Sequence, residues 1–571
     1  MKILSIYPYT HISSAALMIN GKIVAASPEE RFNRIKMSTA FPFKAIEWCL
    51  KKENLKLKDV DLVTIPWNPA LNINSASSRW TNDLRWRGEM LSNIPINLMK
   101  ILDDKPSKYV KLSFNNLDVS YLNHHECHAA SAFFTSPFKE CDILTIDGHG
   151  EQDTCFLGVG KNNDVKQKNT IKYPHSIGLF YGTFTDFLGF KPDSDEWKVM
   201  ALSSYATKKN IYDKKIQKLY KLTKDGFELD LSYFDFYTFD KRKNFFNEKF
   251  EILLGKKKLK NEKILRKHYL IAGAMQRSFE KIVFHLLKIL KANGSKSDNL
   301  VLAGGAAMNC VFNGLLDKSN LYKKNYIPAY PDDLGVSIGA AYLANNRFNK
   351  NKKRKIFHEK HNYYGPGFSR TEIRNEILKS KLKFSEFKKG LTMEIAKYLS
   401  EGKLIGWFQG NMEFSHRALG NRSILADPRN SNVKDLVNQA IKFRENFRPF
   451  APAVLEGDAH KIFNMKKSDK IYFMEKAVKV KAAWRKKIPA VTHVDNTARV
   501  QTVIKSVNPI FFDLISEFNK ITNIPVLLNT SFNLNGEPIV CSPQDAIRTF
   551  FSCGLDILVL GNFVIKKNDK N

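Results

Sequence analysis

A short hydrophobic strand pattern occurs twice in this chain, and that repeat limits the folds that the chain can adopt. ILSIYPY begins at Ile3, and ILTIDGHG begins at Ile143, 140 positions later. A hairpin pattern follows each strand, first AALMINGKIVAA, whose Asn20-Gly21 pair favours a type I′ turn, and then DTCFLGVGKNNDVK. A helix is predicted after the first hairpin, at FPFKAIEWCLKK. These patterns indicate a duplicated α/β unit.

The order of strand, turn, hairpin and helix, used twice, resembles the plan of actin-like ATPase folds, which place a cleft between two halves. A further segment, NLVLAGGAAMNCVFNG, reads as a buried strand followed by Gly304-Gly305 at a helix start. Backbone N–H groups at such a start can face a phosphate or nucleoside, although a glycine pair also permits simple close packing. We therefore predict an actin-like (ASKHA) duplicated amino-terminal domain over residues 1–348.

The chain becomes polar and basic after Arg347, and we predict a basic linker region over residues 349–390. Beyond it, strand patterns at KLIGWFQG, IPVLLNTS and ILVLGNFVI alternate with helical patterns at VKDLVNQAI, PIFFDLISEFNKI and PQDAIRTFFSCG. This alternation predicts a compact α/β domain over residues 391–571.

The bulk composition fits a large globular protein of the cytoplasm. A chain of 571 residues, 43% of them apolar, can bury a large core in at least two domains. We expect no membrane span, because no stretch has the necessary unbroken apolar length. Seven cysteines without paired spacing indicate reduced thiols. The net charge of +33 suits nucleic acid, acidic glycans or nucleotide substrates and does not choose among them.

A dense basic block lies between Met412 and Pro452. It reads MEFSHRALGNRSILADPR and then, after a short predicted helix, KFRENFRPFAP. Its fixed cations outnumber the carboxylates that one face could pair with them, and they are Arg417, Arg422, Arg429, Lys442, Arg444 and Arg448. An anionic ligand explains this excess, and a charged loop on a basic protein is the alternative.

Two histidines in NHHECHAASAFF have the spacing of metal ligands. His124 and His128 stand at positions i and i+4, so on a helix they project from one face. A zincin pattern would have a glutamate next to the first histidine, where this chain has His125, so metalloprotease chemistry is not supported. Ordinary surface or core histidines are the alternative.

Two carboxylates strengthen the prediction of a metal site. Asp147 ends the strand in LTIDGHGE, and Asp333 lies at a predicted strand-to-helix turn in PDDLGVSIGAA. Strand ends in α/β folds commonly face a ligand crevice. Two histidines and a carboxylate suit iron(II) or another first-row dication. Asp332 is the alternative to Asp333, and His125 is the alternative to either histidine.

Two further polar segments are candidates for site residues. His11 follows the first strand, so a real duplication would bring it to the same crevice as a general base for an acceptor hydroxyl, whereas the alternative is a turn histidine. LLNTSFNLNGEPIV carries a polar cluster after a buried strand, at Asn529, Thr530, Ser531 and Asn533. Such a cluster can bond a small planar ligand or merely cap a helix.

Together these motifs resemble the NodU/CmcH carbamoyltransferase family, which includes the enzymes that carbamoylate Nod factors, cephamycins and tobramycin. The resemblance runs in order over nearly the whole chain. The motifs that carry it are EERF from Glu29 with Lys36 nearby, NHHECHAAS, IDGHGE, EWKVMAL, LAGGAAMNC, the block from Met412 to Arg429, KFRENFRPFAP, HVDNTARVQTV and LLNTSFNLNGEPIV.

The resemblance implies two domains with two reactions. The amino-terminal domain would be similar to the metal-binding threonylcarbamoyl transferases of tRNA modification, and the carboxy-terminal domain would be YrdC-like. The second domain would form carbamoyl adenylate from carbamoyl phosphate and ATP. The first would transfer the carbamoyl group to a hydroxyl of a sugar, glycan or other small metabolite.

The resemblance also implies roles for individual residues. In the amino-terminal domain, a divalent metal, expected to be Fe(II), would be bound by His124, His128, Asp147 and Asp333. Asp147 would also act in catalysis with His11 as the base, and Lys36 would bind the acceptor. The residues implied to bind ATP and carbamoyl phosphate are Arg417, Asn421, Ser423, Lys442, Arg444, Arg448, Arg499, Asn529, Thr530 and Ser531.

Two positions depart from the family pattern. The family usually has aspartate after the residue equivalent to His11, whereas this chain has Ile12. In EWKVMAL, Ala201 replaces a usual glycine. Both departures concern the domain expected to bind the acceptor, so the orientation of the base and the shape of the acceptor pocket are the properties that they put in question.

Two other functions compete with this one. A tRNA-modifying threonylcarbamoyl enzyme would share both domain types and would use the basic charge, but the domain order and the EERF and FRPFAP motifs favour a small-molecule acceptor over nucleic acid. The other alternative is a non-catalytic nucleotide-binding or RNA-binding module. The sequence does not identify the acceptor, and a homodimer is left open.

Overall fold

The computed structural model of the chain describes residues 1–72, 94, 97–98, 101, 118–241, 243–349, 354–356, 358–442, 445 and 447–567. The chain divides into two compact units. The first comprises Met1–Glu29 and Ser38–Glu359, and the second comprises Glu30–Met37 and Lys360–Asn571. A short segment from near the start of the chain therefore belongs to the second unit.

The strands of the first unit form two five-stranded sheets and one two-stranded ribbon. In chain order they are β1 (Lys2–Tyr7), β2 (Ser14–Ile19), β3 (Lys22–Pro28), β4 (Leu62–Ile65), β5 (Val119–Tyr121), β6 (Glu140–Ile146), β7 (Asp153–Lys161), β8 (Asp164–Lys172), β9 (Tyr220–Leu222), β10 (Phe227–Leu229), β11 (Asn299–Ala303) and β12 (Lys324–Tyr326).

The two five-stranded sheets have the same strand order and directions, as the sequence repeat predicts. One runs β3-β2-β1-β4-β5 and the other β8-β7-β6-β11-β12. In each, the central strand pairs antiparallel with a hairpin on one side and parallel with a later strand on the other. Asn20 and Gly21 have φ values of 50° and 78°, as a type I′ turn requires.

The described residues of both units also form helices, most of them short. In chain order they are α1 (Glu30–Asn33), α2 (Phe43–Lys52), α3 (His124–Thr135), α4 (Ile177–Phe187), α5 (Glu196–Ser203), α6 (Ile211–Ile216), α7 (Glu248–Leu254), α8 (Arg266–Asn293), α9 (Cys310–Leu316), α10 (Val336–Phe348), α11 (Arg370–Lys379), α12 (Leu391–Ser400), α13 (Asn432–Leu436), α14 (Glu456–Ile462), α15 (Ala482–Arg485), α16 (Pro509–Thr522) and α17 (Pro543–Phe551).

The second unit is built on one mixed eight-stranded sheet, with a two-stranded ribbon beside it. Its strands are β13 (Ser385–Glu386), β14 (Ile405–Phe408), β15 (Arg422–Ala426), β16 (Ala451–Leu455), β17 (Ala477–Lys479), β18 (Thr497–Arg499), β19 (Gln501–Val503), β20 (Val526–Ser531), β21 (Ile557–Leu560) and β22 (Phe563–Lys566). The large sheet has the order β13-β22-β21-β14-β15-β20-β16-β19. The predicted α/β class is confirmed, whereas the YrdC-like assignment stays a prediction.

Apolar side chains along these strands make the core of the second unit. Trp407 on β14 is fully buried, and Phe511, Leu514 and Phe518 on one face of α16 contribute to the same cluster. The i, i+3, i+7 spacing on α16 is what brings these three side chains to the sheet. Within the segment predicted as a linker, residues 370–379 form α11 and residues 385–386 form β13, which pairs with β22.

Two whole-chain expectations also bear on the fold. Among the described residues, none of the helices combines the length and the apolar content that crossing a bilayer requires. All seven cysteines lie in the described part of the chain, where each is buried and free of disulfide bonding.

Candidate functional site

Helix α3 begins where two acceptors satisfy its free N–H groups. Asn123 Oδ1 accepts from the N–H of Glu126 at 3.0 Å, and the carboxylate of Glu151 accepts from the N–H of His124 at 3.0 Å. A carboxylate at this end of a helix is also stabilised by the helix dipole. Burial raises the pKa of Glu151 to about 7, although N–H donors oppose the shift. The start of α3, and therefore the direction of its first histidine, is thus held in place.

His124 and His128 project from one face of α3 toward Asp147 and Asp333. His128 Nε2 lies 2.8 Å from Asp147 Oδ2 and 3.4 Å from Asp333 Oδ1. His124 Nε2 lies 3.4 Å from each of the same two oxygens. The two Nε2 atoms are 3.1 Å apart, and the four residues offer ligand atoms that all lie within 4.8 Å of one another. Four residues from distant parts of the sequence thus form one group with the composition of a metal site.

The donor atoms of this group fit a cation. His124 Nδ1 lies 3.2 Å from the carbonyl oxygen of Pro66, which can only accept, so in the neutral ring Nδ1 carries the proton. Nε2 then presents its lone pair to the other three residues. Electronegative atoms that converge at such distances in a buried place repel one another unless a cation or protons lie among them. Nitrogen and oxygen ligands in this number are those that first-row dications use.

Hydrogen bonds from neighbouring groups orient the two carboxylates. The hydroxyl of Tyr7 donates to Asp333 Oδ2 at 2.7 Å. Asp147 Oδ1 accepts from the N–H of Gly148 at 2.8 Å and from the N–H of Gly305 at 3.2 Å. Each carboxylate therefore keeps its other oxygen for the cluster, an arrangement that is typical of metal sites.

The glycine pair predicted to face a phosphate or nucleoside has a structural explanation. Gly304 has a φ of 86°, and a Cβ atom there would lie 2.2 Å from the carbonyl oxygen of Ile146. The chain can therefore approach the end of β6 only with glycine at this position. That approach brings the N–H of Gly305 to Asp147. Close packing, the alternative considered for this pair, is what the structure has.

The electrostatic surroundings of the cluster favour the ionised forms of its members. Burial by itself would lower the pKa of His124, but Asp333 and Asp147 outweigh it and raise that pKa to about 10. Burial opposes ionisation of Asp147 and Asp333 as well, yet bonds and charge interactions with the histidines hold both carboxyl pKa values below the usual range. Protons and a metal ion would therefore compete for the same atoms.

The two rival residues lie outside this group. His125 Nδ1 lies 2.6 Å from Thr145 Oγ1, and its Nε2 donates to the carbonyl oxygen of Asp153 at 3.0 Å. Burial, with the neighbouring histidines, lowers the pKa of His125 to about 3, so the neutral form of this ring is favoured. Its two hydrogen bonds connect α3 with β6 and β7. Asp332, the other rival, is not among the four residues that converge.

The other predicted residues of the first unit are His11 and the two departures from the family pattern. His11 is partly exposed and lies between β1 and β2. Ile12 is fully buried. Its side chain is apolar and therefore cannot orient His11 by a hydrogen bond. Ala201 is buried on α5. Lys36, predicted to bind the acceptor, is exposed and belongs to the segment Glu30–Met37 of the second unit.

In the second unit, Lys442 is held by a cradle of oxygens. It ends a π-helical segment, Val437–Lys442, and its side chain is buried. Its ammonium donates to Asn533 Oδ1 at 2.7 Å, to the carbonyl oxygen of Asn533 at 2.9 Å, and to both oxygens of Ser531. The structure thus brings Lys442 and Ser531, two predicted ligand-binding residues, into contact.

Strand pairing brings further predicted residues together. Ser423 on β15 lies opposite Ser531 on β20, and Ile424 lies opposite Thr530. Asn529, on β20, donates from Nδ2 to Gln501 Oε1 at 2.9 Å and to the carbonyl oxygen of Ala418 at 3.2 Å. One end of the β15–β20 ladder is therefore lined by the polar residues that the sequence singled out.

The remaining predicted residues of this unit lie on loops or on the ribbon. Asn421 donates from Nδ2 to the carbonyl oxygen of Asn411 at 2.7 Å and accepts from Asn508 at 2.9 Å. Arg417 donates to the carbonyl oxygen of Met474. Arg448 pairs with Glu445 at 2.5 Å, and Arg499 lies opposite Ala477 in the β17–β18 ladder. Arg444 lies outside the described residues.

Two cations of the basic block that are not among the implied ligand residues have local partners in the protein. Arg422 is fully buried, stacks on Phe408 at 3.6 Å and donates to main-chain carbonyl oxygens that include those of Pro366 and Gln409. Arg429 donates from Nε and Nη2 to both carboxylate oxygens of Asp427. Carbonyl oxygens and one aspartate satisfy these two cations locally, so neither contributes to the excess of positive charge that an anionic ligand would explain.

Three supporting residues were not singled out from the sequence. Tyr7 and Glu151 bond to members of the candidate metal group, and Glu413 Oε1 accepts the N–H groups of Leu419, Asn421 and Arg422 at 2.7, 2.8 and 3.2 Å. The internal repeat carried a signal for Tyr7, because alignment of Ile3 with Ile143 places Tyr7 opposite Asp147. Glu413 bonds to N–H groups a few residues further along the chain, and neither helical nor strand periodicity predicts such bonds.

Comparison with known proteins covers both units. A family model described as "Carbamoyltransferase N-terminus" matches residues 2–342, and one described as "Carbamoyltransferase C-terminus" matches residues 396–567. An uncharacterised protein of Synechocystis sp. is 36% identical over 99% of this chain and 96% of its own. The nodulation protein NolNO of Sinorhizobium fredii is 34% identical over 98% of this chain and 79% of its own. The nodulation protein NolO of Bradyrhizobium diazoefficiens is 35% identical over 78% of this chain and 79% of its own.

Proposed function

Because this chain belongs to the carbamoyltransferase family, we propose that it is an ATP-dependent O-carbamoyltransferase that acts on a hydroxyl of a sugar or other small metabolite. Family membership makes the protein a transferase. The substrates, the need for ATP and the intermediate are our proposal. The observation that carries it is the buried group of two histidines and two aspartates in the first unit, together with the lysine cradle in the second.

Activation is assigned to the second unit, which we propose to be YrdC-like. ATP, carbamoyl phosphate and one water would yield carbamoyl adenylate, pyrophosphate and inorganic phosphate. Two phosphorylated substrates repel each other, so cations that lie where they meet favour the reaction. Lys442 is buried and its ammonium is held by Ser531 and Asn533, so an anionic substrate oxygen would replace one of these acceptors at a cation that is already in place. Arg417, Arg444, Arg448 and Arg499 are the further proposed phosphate ligands, and Asn421, Ser423, Asn529 and Thr530 are the proposed neutral hydrogen-bonding residues.

Transfer is assigned to the first unit. The acceptor hydroxyl would lose its proton to His11 and attack the carbamoyl carbon, which releases AMP and leaves a carbamate ester. His124, His128, Asp147 and Asp333 would hold a divalent metal, for which we propose Fe(II). When bound, it supplies a positive charge that polarises the carbamoyl oxygen or neutralises the adenylate phosphate. Tyr7 and Gly305 keep the two carboxylates oriented, so the ligand set is formed in advance.

Two variants test this division of labour. Lys442→Ala should abolish pyrophosphate release from ATP and carbamoyl phosphate. His11→Asn should retain pyrophosphate release and lose carbamate ester formation, measured by mass spectrometry of sugar and metabolite pools. Lys258→Ala is a matched control, because Lys258 is also buried and donates to carbonyl oxygens but lies in the first unit. Failure of both variants at the same step would contradict the assignment.

The alternative functions predict other outcomes. A tRNA-modifying enzyme would copurify with RNA and would leave free alcohols unmodified. A non-catalytic binding module would release no pyrophosphate with any divalent metal present. Cytoplasmic location and the oligomeric state stay predictions that these assays do not address.

A further inference from the structure

The segment Glu30–Met37 packs into the second unit although it lies near the start of the chain. Glu30 and Arg31 are almost completely buried there. Phe32 packs against a small apolar cluster that comprises Met412, Ile539 and Cys541. These three residues come from the two loops that flank the proposed activation site, so the segment contacts both loops.

Arg31 fixes the first of these loops. Its Nη1 pairs with Glu30 Oε1 at 2.8 Å, and its Nη2 donates to the carbonyl oxygen of Ser415 at 2.9 Å. The hydroxyl of Ser415 accepts from the N–H of Arg417 at 2.9 Å and donates to the carbonyl oxygen of Arg417 at 2.8 Å. Arg31 therefore holds the turn that carries Arg417, a proposed phosphate ligand.

Arg34 fixes the second loop. Its Nη1 and Nη2 donate to the carbonyl oxygens of Ile539 and Pro538 at 2.7 and 2.9 Å, and its Nε lies 3.4 Å from Asp545. The same loop begins at Asn533, whose Nδ2 donates to the carbonyl oxygen of Glu537 at 2.7 Å. Asn533 Oδ1 in turn accepts from Lys442. A short path of hydrogen bonds thus connects Arg34 with Lys442.

The segment is itself restrained. Glu30 Oε2 accepts from the N–H of Met37 at 2.8 Å, and the carbonyl oxygen of Glu30 accepts from the N–H of Arg34 at 3.1 Å. These bonds close the segment on itself, so its two guanidinium groups are presented at a fixed spacing. Each group bonds both to a carboxylate of the protein and to main-chain carbonyl oxygens of a loop, so the bonds of both groups hold these loops in place.

We propose that Glu30–Met37 is a positioning segment for the activation site, in which Arg31 and Arg34 hold the loops that present Arg417 and Lys442. This inference rests on the proposed function. It makes affinity for ATP and carbamoyl phosphate depend on residues that the family's carboxy-terminal model, residues 396–567, does not contain. Displacement of catalytic groups by about 1 Å can lower the rate about 100-fold. Loss of the hydrogen bonds between one of these arginines and its loop should therefore have a measurable effect.

Arg34→Met and Arg34→Lys in the full-length protein test the proposal. We expect Arg34→Met to raise the KM for carbamoyl phosphate or ATP in pyrophosphate release by about tenfold or more, because the loop of Asn533 is no longer held. Arg34→Lys keeps the charge beside Asp545 and can bond to one of the two carbonyl oxygens, so it should recover part of that loss. Arg31→Met should act in the same direction through Arg417.

A purely stabilising role gives a different result. Arg277→Met is the matched control, because Arg277 also bonds to one carboxylate and one carbonyl oxygen, those of Asp213 and Ala206, in the first unit. It should lower the unfolding temperature and leave both KM values unchanged. If the Arg34 variants likewise lose only stability or active fraction, with unchanged KM values, the positioning role is overturned.

The outcomes also separate this inference from the proposed function. Wild-type protein that releases no pyrophosphate contradicts the proposed function itself. Wild-type protein that is active, with Arg34 and Arg31 variants of unchanged KM, contradicts only the positioning role. If Arg34→Met does not fold, Arg31→Met decides the question, and an unchanged KM in that variant counts against the proposal.

Discussion

The hydroxyl of Tyr7 donates a 2.7 Å hydrogen bond to Oδ2 of Asp333, so a residue at the end of the first strand orients a carboxylate 326 positions later in the chain. Asp147 occupies the equivalent place at the end of β6 in the second half of the repeat. At equivalent places, the second half of the repeat therefore supplies Asp147, a candidate metal ligand, and the first half supplies Tyr7, which orients the candidate ligand Asp333. The ring of Tyr7 also stacks on that of His124, with centroids 5.7 Å apart.

Loss of the Tyr7 hydroxyl should weaken metal binding while the fold remains. Tyr7→Phe removes the bond that orients Asp333, and losses of this kind typically cost about 10–100-fold in metal affinity. The measurement is competition with a chelator, followed by metal analysis. Tyr330→Phe is the control, because the Tyr330 hydroxyl donates to Glu359 at 2.6 Å and Glu359 is not part of the cluster. Equal affinity in the two variants would show that Tyr7 has no orienting role.

The two neighbouring histidines of α3 should differ in their effect on metal content. His128→Ala removes a ligand atom, so purified protein should contain little metal. His125→Gln should retain metal, because His125 bonds to Thr145 and Asp153. It should also lower the unfolding temperature, since one of these buried bonds is lost. Metal analysis and thermal unfolding measure the two effects, and the opposite pattern of metal content would exchange the assignments of these residues.

A negative charge beside Lys442 should impair activation. Asn533→Asp places a carboxylate where the amide oxygen now accepts from the ammonium, so the cation would be neutralised within the protein. We expect a higher KM for carbamoyl phosphate or ATP in pyrophosphate release. Asn247→Asp adds the same charge at the first residue before α7, where aspartate is an equally good cap, and should change neither value. Unchanged kinetics in Asn533→Asp would remove Lys442 from the proposed site.

The carboxyl group of Glu196 should make stability fall as the pH rises. Burial, with Asp193 and Asp195, raises its pKa from 4.5 to about 8. Between these values the folded protein keeps a proton that the unfolded chain releases, so the free energy of unfolding decreases as the pH rises through that window. Glu196→Gln removes this dependence and keeps an acceptor for the N–H of Asp193. The stability of wild type relative to the variant should decline from pH 4.5 to 8, and a flat difference would falsify the prediction.

Local patterns predicted many of the elements. The Asn20-Gly21 turn, helix α2, β14 and β20 all lie where hydrophobic periodicity and turn residues placed them, because these signals depend on neighbours in the chain. The order of the eight strands in the second unit has no such local signal. It depends on which strands pair, and pairing is decided by tertiary packing.

The sequence predicted part of the candidate metal group. The i, i+4 spacing of His124 and His128 and the strand-end position of Asp147 indicated ligands, and the structure brings all three together with Asp333. The residues by themselves left Asp333 and Asp332 as alternatives, and only the family resemblance favoured Asp333, because adjacent residues of one turn project in different directions that the sequence does not give. The local partners of Arg422 and Arg429 were not predictable for a similar reason, since carbonyl oxygens from distant segments cannot be counted from the sequence.

The sequence by itself determined the repeated α/β unit, the family and most side chains of the candidate metal group, because these depend on residue type and spacing. Tertiary structure alone decided that Tyr7 orients Asp333, and that Arg31 and Arg34 hold loops more than 380 residues away in the chain. The physical reason is that a hydrogen bond depends on the distance and direction between two atoms. When those atoms belong to remote segments, only the folded backbone sets both.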